Sequence, residues 1–162
     1  MTDQNTQYAS LDERCAAYDR MADALLFLGD NWKSRPTLAQ ASNEFGLSPF
    51  HFQREFSLWS GLSPKQHVSA HAHAAAGEVL RDGASVLEAS FEIEASGPSR
   101  LHDLFIAHEA LTPGEAASGG RNVTLTIGRG PTPFGDGVFL FSDRGLTALG
   151  FIDAVPETPA RP

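Results

Sequence analysis

Cysteine is all but missing from these 162 residues: Cys15 is the single one. One thiol excludes an internal disulfide framework and a zinc site built on cysteines. Basic residues are scarce too, with 12 Lys and Arg against 20 Asp and Glu and a net charge of −8. Such a balance argues against an indiscriminate nucleic-acid binder, which is normally basic. No apolar run approaches the roughly 20 residues needed to span a bilayer. The opening MTDQNTQYAS carries neither the basic nor the apolar region of a signal peptide. These absences lead to the expectation of a soluble, cytoplasmic chain with no membrane partner. Apolar residues make up 41% and charged residues 20%, enough to bury the core of one domain with a small appendage.

The informative presence is a repeat. Residues 37–66 read TLAQASNEFGLSPFHFQREFSLWSGLSPKQ, and residues 85–115 read SVLEASFEIEASGPSRLHDLFIAHEALTPGE. Identical pairs are Ala41/Ala89, Ser42/Ser90, Glu44/Glu92, Ser48/Ser96, Pro49/Pro98, Phe56/Phe105, Leu62/Leu111 and Pro64/Pro113, with one inserted residue before Pro98. The punctuation repeats as well. Thr37-x-x-Gln40 and Ser85-x-x-Glu88 are capping boxes, in which side chains and free N–H groups satisfy one another. Ser48-Pro49 and Gly97-Pro98 each place proline at a first helical position, as do Ser63-Pro64 and Thr112-Pro113. Each repeat therefore predicts a helix of about eight residues, a tight turn and a second helix, which is the helix-turn-helix pattern.

Spacing separates a buried from an open face on the second helices. Phe52, Phe56 and Trp59 recur at i, i+4 and i+7, and Leu101, Leu104, Phe105 and Ala107 do similar work in the second repeat. The complementary faces hold Phe50, Gln53 and Arg54, then Ser99, Arg100 and Asp103. On a DNA-reading helix an amide or a guanidinium pairs with base edges, and an exposed Phe50 suits stacking or a thymine methyl. Its alternative is an apolar contact beneath the helix start, and that of Gln53 and Arg54 is plain solvated surface.

Outside the repeats, Ser10-x-x-Glu13 caps a long helix with Leu11, Cys15, Tyr18, Met21, Ala22, Leu25, Leu26 and Leu28 on its apolar side. Cys15 is thereby expected to be buried and inert. The helix fades into a loop from Gly29 to Pro36. Residues 64–81 form an alanine-rich helix joining the repeats. Further on, Val123, Leu125 and Ile127 alternate at period two, and Val138–Phe141 and Leu146–Ile152 flank a turn at Ser142–Gly145. These predict three short antiparallel strands. The proline-rich AVPETPARP at the end reads as a loose tail.

SPFHFQREFSLWSGLSPKQ resembles the first recognition helix and linker of the AraC/XylS family of transcription regulators, whose DNA-binding domain joins two helix-turn-helix units by a central helix. SGPSRLHDLFIAHEALTPGE and GPTPFGDGVFLFSDRGLTALGF are similar to Ada-type proteins, in which that domain is fused to an alkylguanine-DNA alkyltransferase. The resemblance implies a mainly α fold of two helix-turn-helix units over 1–117. A partial ribonuclease-H-like segment follows over 118–153, then a flexible tail over 154–162. It implies duplex DNA and RNA polymerase as partners and a regulator linked to the alkylation-damage response. The expected DNA-binding residues are Phe50, His51, Gln53, Arg54, Lys65, Ser99, Arg100 and Asp103. The alkyltransferases' Pro-Cys-His-Arg motif does not occur, so no enzymatic activity and no cofactor are expected of these residues. Two alternatives stay open: a non-catalytic N-terminal fragment of a self-alkylating repair protein, and an interaction module that has lost DNA binding.

Charge sharpens the choice. Residues 36–115 hold four basic groups (Arg54, Lys65, Arg81 and Arg100) against ten acidic ones, few for a ligand bound largely through phosphates. Glu94 stands where the first repeat has Gly46, so a left-handed turn there would strain the second repeat. All six histidines fall in this segment, and their protonation predicts tighter DNA binding as pH falls from 8 to 6. His67 and His71 are four apart on one helical face, yet no Cys or carboxylate completes a set nearby. The expectation is solvated histidines and no metal.

Overall fold

The computed structural model describes residues 10–152; the expected tail at 154–162 lies outside them. Seven α-helices are followed by three strands: α1 (Leu11–Asp30), α2 (Leu38–Glu44), α3 (Pro49–Ser60), α4 (Pro64–Arg81), α5 (Val86–Glu92), α6 (Pro98–Glu109), α7 (Pro113–Ala117), β1 (Thr126–Thr132), β2 (Gly135–Ser142) and β3 (Gly145–Ile152). The chain forms two compact units that divide within α4, after Ala74. The first repeat lies in the first unit, and the second repeat and the strands lie in the second.

The caps set the helix starts. Ser10/Glu13, Thr37/Gln40, Ser85/Glu88 and Thr112/Glu115 all close reciprocal capping boxes, each worth about 1 kcal/mol. Ser63 and Gln66 bond each other's backbone N–H in the same way at the start of α4. Ser48 accepts from the N–H of His51, whereas Gly97 offers no side-chain bond to α6. The two repeats match closely. First helices α2 and α5 have seven residues each, and second helices α3 and α6 have twelve. Ser42 and Ser90 are buried and donate to the carbonyls of Ala39 and Leu87. The turns repeat bond for bond: Leu47 N–H donates to Ser42 and Ala95 N–H to Ser90.

The first unit's core joins Met21, Ala24 and Leu28 of α1, Ala41 of α2 and Phe52 and Phe56 of α3. Each fully buried phenylalanine contributes about 1.5–3 kcal/mol. Phe45 stacks on Phe52 with centroids 5.8 Å apart, and Trp59 packs at the edge of the cluster. Burial corrects the expected face of α1. Its innermost positions are Ala17, Met21, Ala24 and Leu28, while Leu11, Tyr18 and Leu26 are exposed. Cys15 is exposed as well; two residues before Ala17, it points about 200° around the helix from that row. The stripe follows small Ala17 and Ala24 rather than the larger apolar residues, because helices approach closely where side chains are small. The expected loop at Gly29 begins later: α1 continues to Asp30, and Trp32–Ser34 form a 3₁₀ turn. The Asn31 side chain donates to the carbonyl of Phe27 and secures this end.

In the second unit Ala89, Ile93, Leu101, Phe105, Ala110 and Leu111 are buried. Ala107 is exposed, contrary to expectation, and Ala110 closes α6 in its place. The strands form one antiparallel sheet in the order β1-β2-β3. Two-residue turns link them at Pro133-Phe134 and Asp143-Arg144. Val123 and Leu125 precede β1 and are not part of the ladder. The second hairpin is anchored to the helices. Ser142 Oγ and Arg144 donate to the carbonyl of Ala110 at 2.8 and 3.3 Å. Arg144 also grips Glu115 with two bonds of 2.7 and 3.0 Å.

Candidate nucleic-acid interface

Pro49 and Ser48 start α3 so that Phe52 and Phe56 turn inward, which leaves the opposite side of its first turns in solvent. Phe50 is 77% exposed there, although phenylalanine usually contributes its large area to a core. His51, Gln53 and Arg54 are exposed beside it. Among the described residues the side chains of Gln53 and Arg54 have no hydrogen bond or ion pair, so their donors and acceptors are available to a ligand. The expected α3 set is therefore gathered on one accessible surface. Lys65 is exposed in the first turn of α4.

His51 is held differently from its neighbours. Its Nε2 lies 3.1 Å from Oε1 of Glu55, and Nη1 of Arg20 lies 3.4 Å from Oε2 of the same carboxylate. The Glu55 side chain is only 3% exposed. A buried carboxylate thus links α1 to the outer edge of α3 and orients the histidine ring. Glu13, Ala16, Ala17, Arg20, His51, Arg54 and Glu55 line an open cleft of about 450 Å³ at this junction. Sequence reading missed Glu55 and Arg20. The i, i+4 spacing of His51 and Glu55 was a usable signal, but the contact with Arg20 spans 35 positions.

On α6, Leu101 and Phe105 are buried while Ser99, Arg100 and Asp103 are exposed, as the spacing predicts. Arg100 and Asp103 put opposite charges on this one face, beside exposed His102. The α3 face carries Arg54 and His51 with no acid pointing outward. The turn before α6 is left-handed at Glu94 (φ 49°), as it is at Gly46 (φ 64°) in the first repeat. The second helix pair keeps its length and bonding despite that strain.

The histidines are not uniformly solvated. His67 is half-buried, its ring edge-on to Phe56 with centroids 5.7 Å apart. Burial pushes its pKa below the usual value, the bond to the Leu25 carbonyl opposes this, and the nearby His71 adds to the lowering. It therefore contributes less positive charge in mild acid than a solvated histidine would. Burial conversely raises the pKa of Glu109, against the attraction of Arg81 and His108. No helix among the described residues is long and apolar enough to cross a membrane.

Residues 41–118 match a family described as a helix-turn-helix domain. Among solved structures, the chain is similar to the C-terminal domain of AraT, a response regulator from Geobacillus stearothermophilus. The TM-score is 0.56 at 15% identity, over 62% of this chain and 84% of that one. This likeness shows the fold. No curated protein matches the sequence significantly.

Proposed function

We propose that this chain, with its helix-turn-helix domain at 41–118, is a sequence-specific DNA-binding regulator of the AraC type. The observation that carries the reading is the α3 surface. A capped helix presents Phe50, Gln53 and Arg54 together, with no hydrogen-bond or ion-pair partner for the amide or the guanidinium among the described residues. Gln53 suits adenine and Arg54 suits guanine at major-groove edges, and Phe50 suits a thymine methyl. Ser99, Arg100 and Asp103 of α6 form the second reading surface, in which Asp103 accepts from a cytosine amino group. Lys65 takes a phosphate. Duplex DNA is the first partner and RNA polymerase the second.

Selection of tight binders from a random duplex pool with the whole chain tests this. A shared sequence motif is expected, and Arg54→Ala should weaken binding to it by about 1–3 kcal/mol. Recovery of unrelated sequences, or an unchanged footprint for the variant, would overturn it.

The strands favour a second layer to this reading. Ile127, Phe134, Leu149 and Phe151 stay between 48% and 82% exposed on the three-stranded sheet, and a sheet of so few strands relies for its stability on an apolar face packed against another element. We read 118–153 as the beginning of a ribonuclease-H-like alkyltransferase domain, which links the regulator to the alkylation-damage response. On that reading a Pro-Cys-His motif lies in the coding sequence downstream of codon 162, and its absence from the gene would refute it.

A further inference from the structure

His67 and His71 lie one turn apart on α4, and their Nε2 atoms converge to 3.3 Å. The Nε2 of His67 is also 3.2 Å from the carbonyl oxygen of Leu25 on α1. Proton accounting makes this trio unusual. The carbonyl only accepts. If both rings carry Nε2–H, two protons collide. If only His71 carries one, a lone pair of His67 faces the carbonyl oxygen. With a proton on His67 alone it is shared between two acceptors, and with neither Nε2 protonated three lone pairs face one another. A cation would satisfy all three atoms at once. Zinc–nitrogen bonds of about 2.0–2.1 Å at a tetrahedral angle place neighbouring donors about 3.3 Å apart, close to both separations seen here.

Gly29 supplies an independent observation. A Cβ at this position would lie 3.2 Å from Nε2 and 3.3 Å from Cε1 of His71. The missing side chain is the space into which the His71 ring turns. Phe56 meanwhile sets its ring against His67 from the core side.

We propose that His67 Nε2, His71 Nε2 and the Leu25 carbonyl bind one divalent transition-metal ion of the zinc or copper class. Imidazole donors favour those ions over magnesium or calcium. Binding needs both Nε2 lone pairs, so each ring carries its proton on Nδ1. No group of three His, Cys, Asp or Glu side chains is present among the described residues. Water therefore completes the coordination, as at open zinc sites rather than closed structural ones. The ion is exchangeable, and it staples α1 to α4 when bound.

Titrating the metal-free full chain with Zn²⁺, without DNA, tests this independently of the DNA-binding reading. Thermal denaturation and imidazole ¹H–¹⁵N spectra are the readouts. One equivalent should raise the Tm and move the ring signals of His67 and His71 while leaving those of His102 and His108 in place. His71→Gln should abolish both effects. Gly29→Ala keeps both imidazoles and favours the helix, yet should weaken zinc binding by crowding the His71 ring. Far-UV circular dichroism establishes that each variant is folded. Unchanged Tm and ring signals on adding Zn²⁺, or undiminished zinc binding in folded His71→Gln, would overturn the proposal.

Discussion

Glu94 occupies in the second repeat the backbone place that Gly46 holds in the first, and both are left-handed, at φ 49° and 64°. The same exchange recurs at the ends of the second helices, where Gly61 (φ 75°) is matched by Ala110 (φ 52°). A side chain in this conformation costs on the order of 1 kcal/mol. Glu94→Gly should therefore stabilise the chain by about 0.5–1 kcal/mol after the added unfolded-state freedom of glycine is deducted. Gly46→Ala should destabilise it by about 1 kcal/mol. Urea denaturation of the two variants checks both signs.

Glu55 joins α1 to α3 through Arg20 and His51. Glu55→Ala removes the acceptor from Arg20 and His51, both partly in solvent, and should cost about 1.5–3 kcal/mol. Arg20→Ala leaves Glu55 the His51 contact and should cost less. The difference between the two variants in chemical denaturation measures how far the buried carboxylate depends on each partner.

The anchor between the second hairpin and α7 is pH-dependent with a definite sign. The paired Arg144 guanidinium, then the Thr112 N–H, hold the Glu115 carboxyl down at about 2 against an ordinary 4.5. A depressed folded-state value means that the contribution is complete above about pH 4.5 and is lost as pH falls toward 2. Hydrogen exchange of the 142–145 hairpin should accelerate across that window. Arg144→Gln should remove most of this dependence, because the leading cause of the shift is gone.

Asp103 faces outward on α6, in a segment with ten acids and four bases. Asp103→Asn should strengthen binding to non-specific duplex by on the order of 1 kcal/mol at low salt, while weakening the preference for cytosine at the position the carboxylate reads. The gain should shrink as added salt shortens the screening length. Mobility shifts at a series of salt concentrations check both the size and the trend.

Helix starts were readable because capping is local: the hydroxyl, the proline and the acid or amide three residues on stand within one turn. The inward row of Phe52 and Phe56 was readable because two large rings leave no other face for the core. The burial of α1 was not, since Ala17 and Ala24 are inconspicuous beside Leu11, Tyr18 and Leu26, and only the neighbouring helices decide which row is approached. Cys15 was misplaced for the same reason. Val123 and Leu125 carry the strand alternation but lack ladder partners. Around the α3 surface, Phe50, Gln53 and Arg54 followed from periodicity, whereas Arg20 reached Glu55 only through tertiary folding. His67 and His71 were visible as a pair. The Leu25 carbonyl was not, because a main-chain oxygen has no signature in sequence, and neither was the use of Gly29 as empty space.

The strand β3 runs from Gly145 to Ile152 along the rim of its sheet without a single charge or proline. Proteins commonly blunt such rims with lysine, proline or a bulge; β1 has Arg129 and Pro131 on the other side, whereas β3 has only the register shift that leaves Thr147 unpaired between Leu146 and Ala148. For a chain of net charge −8, mutual repulsion keeps molecules apart elsewhere, and this ribbon is where that protection lapses. Strong salt screens that repulsion, which leaves the bulge at Thr147 as the one device on this rim that works against strand-to-strand pairing.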